Sequence, residues 1–197
     1  MAALHEASHG VALDRNNGVQ HAIDLVRMLS PANGPTEIIL VATNWKGLPN
    51  ALRVQSSLLA TGAPPALLLT PDANVCRAEG SYPCAYTGRF TWCHVEWCRI
   101  IRMRQYFLAR FFQAGANVLQ LDSDVVFFSN IYPVLQTLLR NASMVAQVDG
   151  TGFNSGMVYV KHHDASSDRV INWVLAEWNN RMLWASQEAN RGVMHQP

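Results

Sequence analysis

The chain has 197 residues, of which 49% are hydrophobic and 15% charged, enough for one α/β domain with a sizeable core. Its 15 basic and 14 acidic residues nearly balance, so no charge excess calls for nucleic acid or an anionic membrane as a partner. The composition excludes collagen, coiled coil and disorder, and Arg or Asp interrupts every apolar stretch before it could span a bilayer.

Residues 1–36 are polar and close on the loop-type stretch SPANGP, which reads as an N-terminal extension before a domain at 37–197. The opening MAALHEASHGVALDRNNG lacks the basic and apolar regions of a secretory signal. EIILVAT (37–43) is β-branched and apolar, as a buried strand requires, and GLPNALRVQSSLLATG (47–62) has helical apolar spacing that stops at Gly62. PALLLTPD (65–72) is a second strand. Residues 73–95 carry Gly, Pro and cysteines and read as irregular. A long helix follows from Glu96 to Ala114, ended by Gly115, and NVLQLD (117–122) is the third strand. IYPVLQTLLR (131–140) reads as a helix, SMVAQVD (143–149) and GMVYVKH (156–162) as strands, and residues 166–184 as an amphipathic helix. Alternating strands and helices predict a mainly parallel sheet with helices on its faces, and ligands of such sheets sit at the carboxyl ends of strands.

The four cysteines, Cys76, Cys84, Cys93 and Cys98, are spaced C-x7-C-x8-C-x4-C. An even, compact cluster permits two disulfides and an oxidising compartment; a cytosolic chain would keep four thiols. Zinc sites usually show tighter pairs. The sequon Asn141-Ala-Ser143 leans the same way as the disulfides, against the absent signal, a conflict that a fragment of a longer gene product resolves.

The third strand runs into LDSDVVFF. On an extended chain Asp122 and Asp124 share a side and Ser123 faces away. Two ionised carboxylates this close need a cation or strong donors. Mg²⁺ or Mn²⁺ supplies that and leaves coordination positions for phosphate oxygens; the alternative is a pair of solvated loop acids. In the preceding helix, Ile100, Ile101, Met103, Phe107, Leu108, Phe111 and Phe112 fall on one face, and Arg104 sits in the middle of that apolar stripe. Arg104 precedes Gly115 by eleven residues, about 16 Å of helix. If helix and strand are antiparallel, that places it level with Leu121 and Asp122, either as a structural ion pair or as a diphosphate clamp. TGFNSGMVYVK (151–161) puts Gly152 and Gly156 around Asn154 and Ser155 before an apolar strand, which suits a hairpin turn or a close approach to ligand.

Together, RQYFLARFFQAGANVLQLDSDVVFFSNIYP and FNSGMVYVK resemble the nucleotide-diphospho-sugar transferase family, glycosyltransferases of plants and algae that include arabinosyl-, xylosyl- and galactosyltransferase-like members. The matching positions are Arg104, Gly115, Asp122, Asp124, Val125, Phe127, Pro133 and Phe153–Gly156, and the resemblance extends over about residues 37–195. It implies a GT-A-type, Rossmann-like three-layer α/β sandwich. It also implies transfer of a sugar, with retention, from a nucleotide-diphosphate donor such as UDP-sugar to a hydroxyl of a glycan or glycoprotein. The cofactor implied is Mn²⁺ or Mg²⁺, and the place the Golgi lumen or secretory pathway. By resemblance Asp124 binds the metal directly, and Asp122 binds it through water or binds ribose. Arg104 neutralises the diphosphate, and Thr43, Asn44, Asp72 and Ser123 belong to the nucleotide site. Asn154 and Ser155 contact donor sugar or phosphate, and Gln187 takes the catalytic polar position. The family's Asp-Gln is here Ser186–Gln187, which alters one polar contact. The chain also stops at Pro197, where the family continues, and His195 is either an imitation of a late metal ligand or, as the simpler reading, a disordered terminal histidine.

Two other readings remain open at this level. One is a degenerate domain that binds without turnover. The other is a haloacid-dehalogenase-type phosphatase with Asp122 as nucleophile, although no later acidic pair supports it. An EF-hand fails because Phe127 stands where the loop needs Gly.

Overall fold

The structure, a computed structural model, describes residues 10–29, 36–88, 96–140, 142–150, 152–162 and 168–180. Its centre is built from three apolar runs, β2 (Glu37–Ala42), β3 (Ala66–Thr70) and β5 (Asn117–Leu121), each almost wholly buried. Such runs suit strands covered on both faces. They are joined by β1 (Val11–Ala12), β4 (Cys84–Tyr86), β6 (Met144–Asp149) and β7 (Gly152–Val160). Among the described residues these strands form one sheet in the order β1-β4-β3-β2-β5-β7-β6. The first five are mutually parallel, while β7 runs antiparallel to both β5 and β6.

Strand alternation sends side chains to two separate cores. Ile38, Leu40, Leu67, Leu69 and Val118 meet α1 (Gly18–Leu29), α4 (Glu96–Gln113) and α6 (168–180) on one face. Ile39, Val41, Leu68, Leu119 and Leu121 meet α2 (Leu48–Ala60), α3 (Ala73–Glu79) and α5 (Tyr132–Leu138) on the other. The result is the expected three-layer α/β sandwich with a mainly parallel sheet.

Two stretches differ from the sequence reading. Residues 10–29, within the polar extension read over 1–36, form β1 and α1, and Ala22, Ile23 and Val26 pack into the first core. The polar residues Gln20, Asp24 and Arg27 mask a short apolar stripe that is helical in period. Residues 73–95, read as irregular, contain α3 and β4. Local caps rather than periodicity define α3: the Asp72 side chain accepts from the Asn74 N–H at 2.8 Å, and Gly80 ends the helix at φ 53°. β7 also starts earlier than expected, at Gly152, because it continues directly from a hairpin with β6.

The disulfide reading of the cysteines holds for Cys76 and Cys84, which are bonded to each other and tie α3 to β4. Cys98 is also disulfide-bonded; Cys93 lies outside the described residues. Gly10 passes so close that a Cβ there would lie 2.5 Å from the Cys76 Cβ, at φ +75°. At the amino edge of the sheet, Glu37 accepts from Asn117 Nδ2 at 2.7 Å and from the Tyr159 hydroxyl at 2.9 Å. Burial raises the Glu37 carboxyl above its ordinary value of 4.5, more than these donors and Lys161 lower it. No helix among the described residues is long and apolar enough to cross a membrane.

Two expectations follow from this architecture. Replacing both Cys76 and Cys84 by Ala opens a loop with a sequence separation of 8. That should lower unfolding free energy by about 2–3 kcal/mol, measured as a shift in denaturant midpoint. Because the folded pKa of Glu37 is raised, its contribution to stability is fullest below pH 4.5 and falls as pH rises through the folded value. The stability difference between Glu37→Gln and the parent, followed by denaturation from mildly acidic to neutral pH, should therefore shift in favour of the variant as pH rises.

Candidate functional site

The site grows from the end of β5. Even-numbered residues of this strand face α4, so Asp122 follows Val118 and Gln120 toward that helix. The Asp122 N–H donates to the Gly156 carbonyl at 2.7 Å, extending the pairing of β5 with β7 by one rung. Above it, Arg104 projects from the buried face of α4 between Met103, Phe107 and Leu108, and is only 4% exposed. Its Nη1 pairs with Asp122 Oδ1, and its Nη2 donates to Ser155 Oγ at 2.7 Å. Burial lowers the Arg104 pKa from its ordinary value, and the charge of Asp124 opposes that shift. A guanidinium taken this far out of water needs such a partner, and removing one side of a buried pair typically costs about 3–5 kcal/mol.

The chain does not stay extended through Asp124 as expected. It turns at Ser123–Asp124, so strand alternation no longer decides which way the second carboxylate points. The two acids consequently differ. Asp122 is partly sheltered and held by Arg104, whereas Asp124 is exposed. The loop that follows is fastened to α2, where the Phe127 N–H donates to Ser57 Oγ at 3.2 Å, and Phe127 packs against the second core.

The hairpin reading and the ligand-approach reading of FNSG describe the same feature. Ala146 pairs with Val158 and the next residue, Gln147, pairs with Asn154, so Ser155–Met157 form a bulge on β7. Asn154 Oδ1 accepts from the Gly156 N–H at 2.6 Å and fixes the bend. Gly156 has no room for a side chain: a Cβ would lie 2.6 Å from Asp122 Oδ2 and 2.8 Å from Asn154 Oδ1. Gln120 was not singled out from sequence, yet its Nε2 donates to the Ser155 carbonyl at 3.0 Å from beneath α4. A polar residue inside an otherwise apolar five-residue strand was the available signal. Gln120 Oε1 and Arg104 Nε are both buried without a hydrogen-bond partner among the described residues, and both side chains touch Ser155.

Thr43, Asn44 and Asp72 lie at the same edge. Register places Val41 beside Leu121 and Ala42 beside Leu69, so the chain leaves β2, β3 and β5 at one level. Each of these side chains has a local task. Thr43 is buried and donates to the Asn44 carbonyl at 3.2 Å, and Asn44 Oδ1 accepts from the Gly47 N–H at 2.8 Å. Asp72 caps α3 through Oδ1, and its Oδ2 accepts from Trp45 Nε1 at 3.0 Å. Gln187, Ser186 and His195 lie outside the described residues. The structure therefore joins Arg104, Asp122 and Ser155 in one cluster, with Asn154 and Gly156 lining it and the charge of Asp124 acting on Arg104.

A hard divalent ion fits this donor set. Such ions bind through one or two carboxylates and complete their shell with water and phosphate oxygens. Asp124 is an exposed carboxylate and Asp122 a partly sheltered one two residues before it, and no group of three or more His, Cys, Asp or Glu gathers among the described residues.

The chain is similar to known proteins both in sequence and in fold. The family model described as nucleotide-diphospho-sugar transferase matches residues 75–196. The crystal structure of the glycosyltransferase GlyE from Streptococcus pneumoniae TIGR4 superposes with a TM-score of 0.51 at 14% sequence identity. That likeness in fold covers 80% of this chain and 40% of the other, so this chain spans less than half the length of that protein. No curated protein sequence matches the chain.

The close approach at Gly156 is directly testable. Gly156→Ala should cost about 1–3 kcal/mol of stability, read from chemical denaturation. In the double variant with Asp122→Ala the two losses should fall short of additivity, because one of the two clashing groups is then gone.

Proposed function

The chain belongs to the nucleotide-diphospho-sugar transferase family, and on that premise we propose that it transfers a sugar from a UDP-linked donor to a hydroxyl of a glycan or glycoprotein, with retention and with Mn²⁺ or Mg²⁺ as cofactor. The observation that carries this reading is the inequality of the two carboxylates. Arg104 holds Asp122 in place from the protein side, and Asp124 stands exposed beside it at the carboxyl edge of the sheet.

Asp124 would hold the cation directly and Asp122 would contact it through water or bind ribose. When bound, the cation supplies Lewis-acid stabilisation of charge on the leaving diphosphate. Arg104 acts as a positioning residue, because its guanidinium is buried and engaged with Asp122 and Ser155 rather than open to phosphate. Ser155 Oγ accepts from Arg104 and keeps its own proton to donate to a donor oxygen, and Asn154 retains its amide protons for the same purpose. In the retaining reaction the bond from the anomeric carbon to the diphosphate breaks. The acceptor oxygen then bonds that carbon from the same face, and its proton passes to the departing oxygen. Neither Asp122 nor Asp124 is needed as a nucleophile in this scheme. The disulfides support an oxidising, secretory-pathway location, since such bonds persist there and are rare in the cytosol.

Calorimetric titration with UDP, with and without Mn²⁺, should show binding that depends on the metal. Asp124→Asn should weaken it by roughly ten- to a hundred-fold, the worth of a charge-assisted contact. Hydrolysis of a UDP-sugar in the same preparation distinguishes a transferase from a domain that binds without turnover. Absence of UDP binding, with a phosphatase activity abolished by Asp122→Asn, would replace this reading by the phosphatase one.

A further inference from the structure

Beneath the FNSG bulge lies a glutamine that the sheet itself does not require. Gln120 is the fourth residue of β5 and is wholly buried. Its backbone pairs with Leu40 on one side and Val158 on the other, and both of those side chains belong to the core that α4 covers. An apolar side chain would suit that position, because burying an amide is costly unless its atoms are hydrogen-bonded. The other amide of this strand meets that condition. Asn117 Nδ2 donates to Glu37 at 2.7 Å, and its Oδ1 accepts from the His162 N–H at 2.9 Å. Gln120 meets it only in part: Nε2 donates to the Ser155 carbonyl at 3.0 Å, while Oε1 has no partner among the described residues. A buried polar group kept at such a cost to stability points to a task elsewhere.

That task is visible in what Gln120 holds. Ser155 falls in the bulge of β7, outside the register of both neighbouring strands. Asn154 pairs with Gln147, the β6 ladder resumes only at Val158, and the β5 ladder reaches only Met157. A peptide released from both ladders has no strand to fix its plane. Gln120 holds its carbonyl from below, and Arg104 Nη2 donates to its hydroxyl oxygen at 2.7 Å from α4. The peptide plane decides where the Ser155 Cβ points, and so where the hydroxyl proton is offered. We propose that Gln120 is a positioning residue for sugar transfer, acting through Ser155. This rests on the reading above in which Ser155 donates to a donor oxygen. It deepens that reading by assigning the orientation of the hydroxyl to a core residue beneath the cluster.

The test uses Gln120→Met, which keeps length and volume and removes both amide atoms. Donor hydrolysis is followed in Mn²⁺ on whichever of UDP-galactose, UDP-xylose and UDP-arabinose the parent turns over fastest. Its kcat/KM should fall by roughly ten- to a hundred-fold, the usual cost of misplacing a contacting group. The denaturation midpoint should stay level or rise. The Asp122 and Gly156 amides, which donate to the Gly156 carbonyl and to Asn154 Oδ1, should exchange hydrogen faster, while those of β2 keep their protection. Added to Ser155→Ala, Gln120→Met should cause no further loss of kcat/KM, because it acts through the hydroxyl already removed. The inference is overturned if kcat/KM is unchanged, if the two losses multiply, or if those two amides keep the parent exchange rates. It is also overturned if the midpoint falls together with activity, which would make Gln120 a structural residue. A parent chain that turns over none of these donors would instead overturn the transfer reading on which the inference rests.

Discussion

Placing an arginine in the apolar face of a helix imposes the constraint around which this edge of the protein is organised. Arg104 lies among Met103, Phe107 and Leu108 on the side of α4 that meets the sheet. The desolvation of a buried guanidinium is large, so the surrounding backbone must bring acceptors to it. Asp122 does so from the last rung of β5 and Ser155 from the bulge in β7. One side chain thus joins a helix to two strands that lie far apart in the sequence. The lack of a side chain at Gly156 follows from the same arrangement, because the Asp122 carboxylate fills the space a Cβ would need.

The two edges of the sheet treat buried charge differently. At the carboxyl edge a cation and an anion meet, and the desolvation of each is offset by the other. At the amino edge Glu37 is met by hydroxyl and amide donors, and its carboxyl is raised because neutral donors do not fully replace water. Tyr159 is raised beside it through burial and the Glu37 charge. This edge joins β2, β5 and β7 structurally, whereas the other leaves Asp124 exposed.

Much of this was legible in the sequence, and the exceptions have physical causes. The strands β2, β3 and β5 were readable because burial on both faces removes polar residues altogether. The pairing of Arg104 with Asp122 was readable because one charged residue breaks a helical apolar stripe and helix rise fixes its height. α3 and β4 were not readable, since elements of seven and three residues are set by caps and neighbours rather than by period. The alternation argument for Asp122 and Asp124 failed one residue past the strand, where a turn replaces the extended chain. Thr43, Asn44 and Asp72 were placed at the correct edge, but sequence could not show that their polar atoms hold the backbone and Trp45. Side-chain hydrogen bonding to nearby N–H groups is a local competition that depends on atomic positions.

Strand direction explains how residues from distant segments form one cluster. The parallel strands β2, β3 and β5 all end at the carboxyl edge, so Thr43, Asp72 and Asp122 follow from the order of the sheet. The FNSG segment is different, because it lies near the start of β7. Had β7 run parallel to β5, its entrance would lie at the opposite edge, five residues or about 17 Å away. Because β7 is antiparallel, Leu121 pairs with Met157, and Ser155 and Gly156 come to the end of β5. The β6–β7 hairpin supplies that reversal with a short turn at Gly150, whose φ of 57° suits glycine. The bulge then displaces Ser155 from the regular ladder, and Arg104 reaches it from α4. Reversing one strand therefore brings the second motif beside the first, and the buried arginine holds them together.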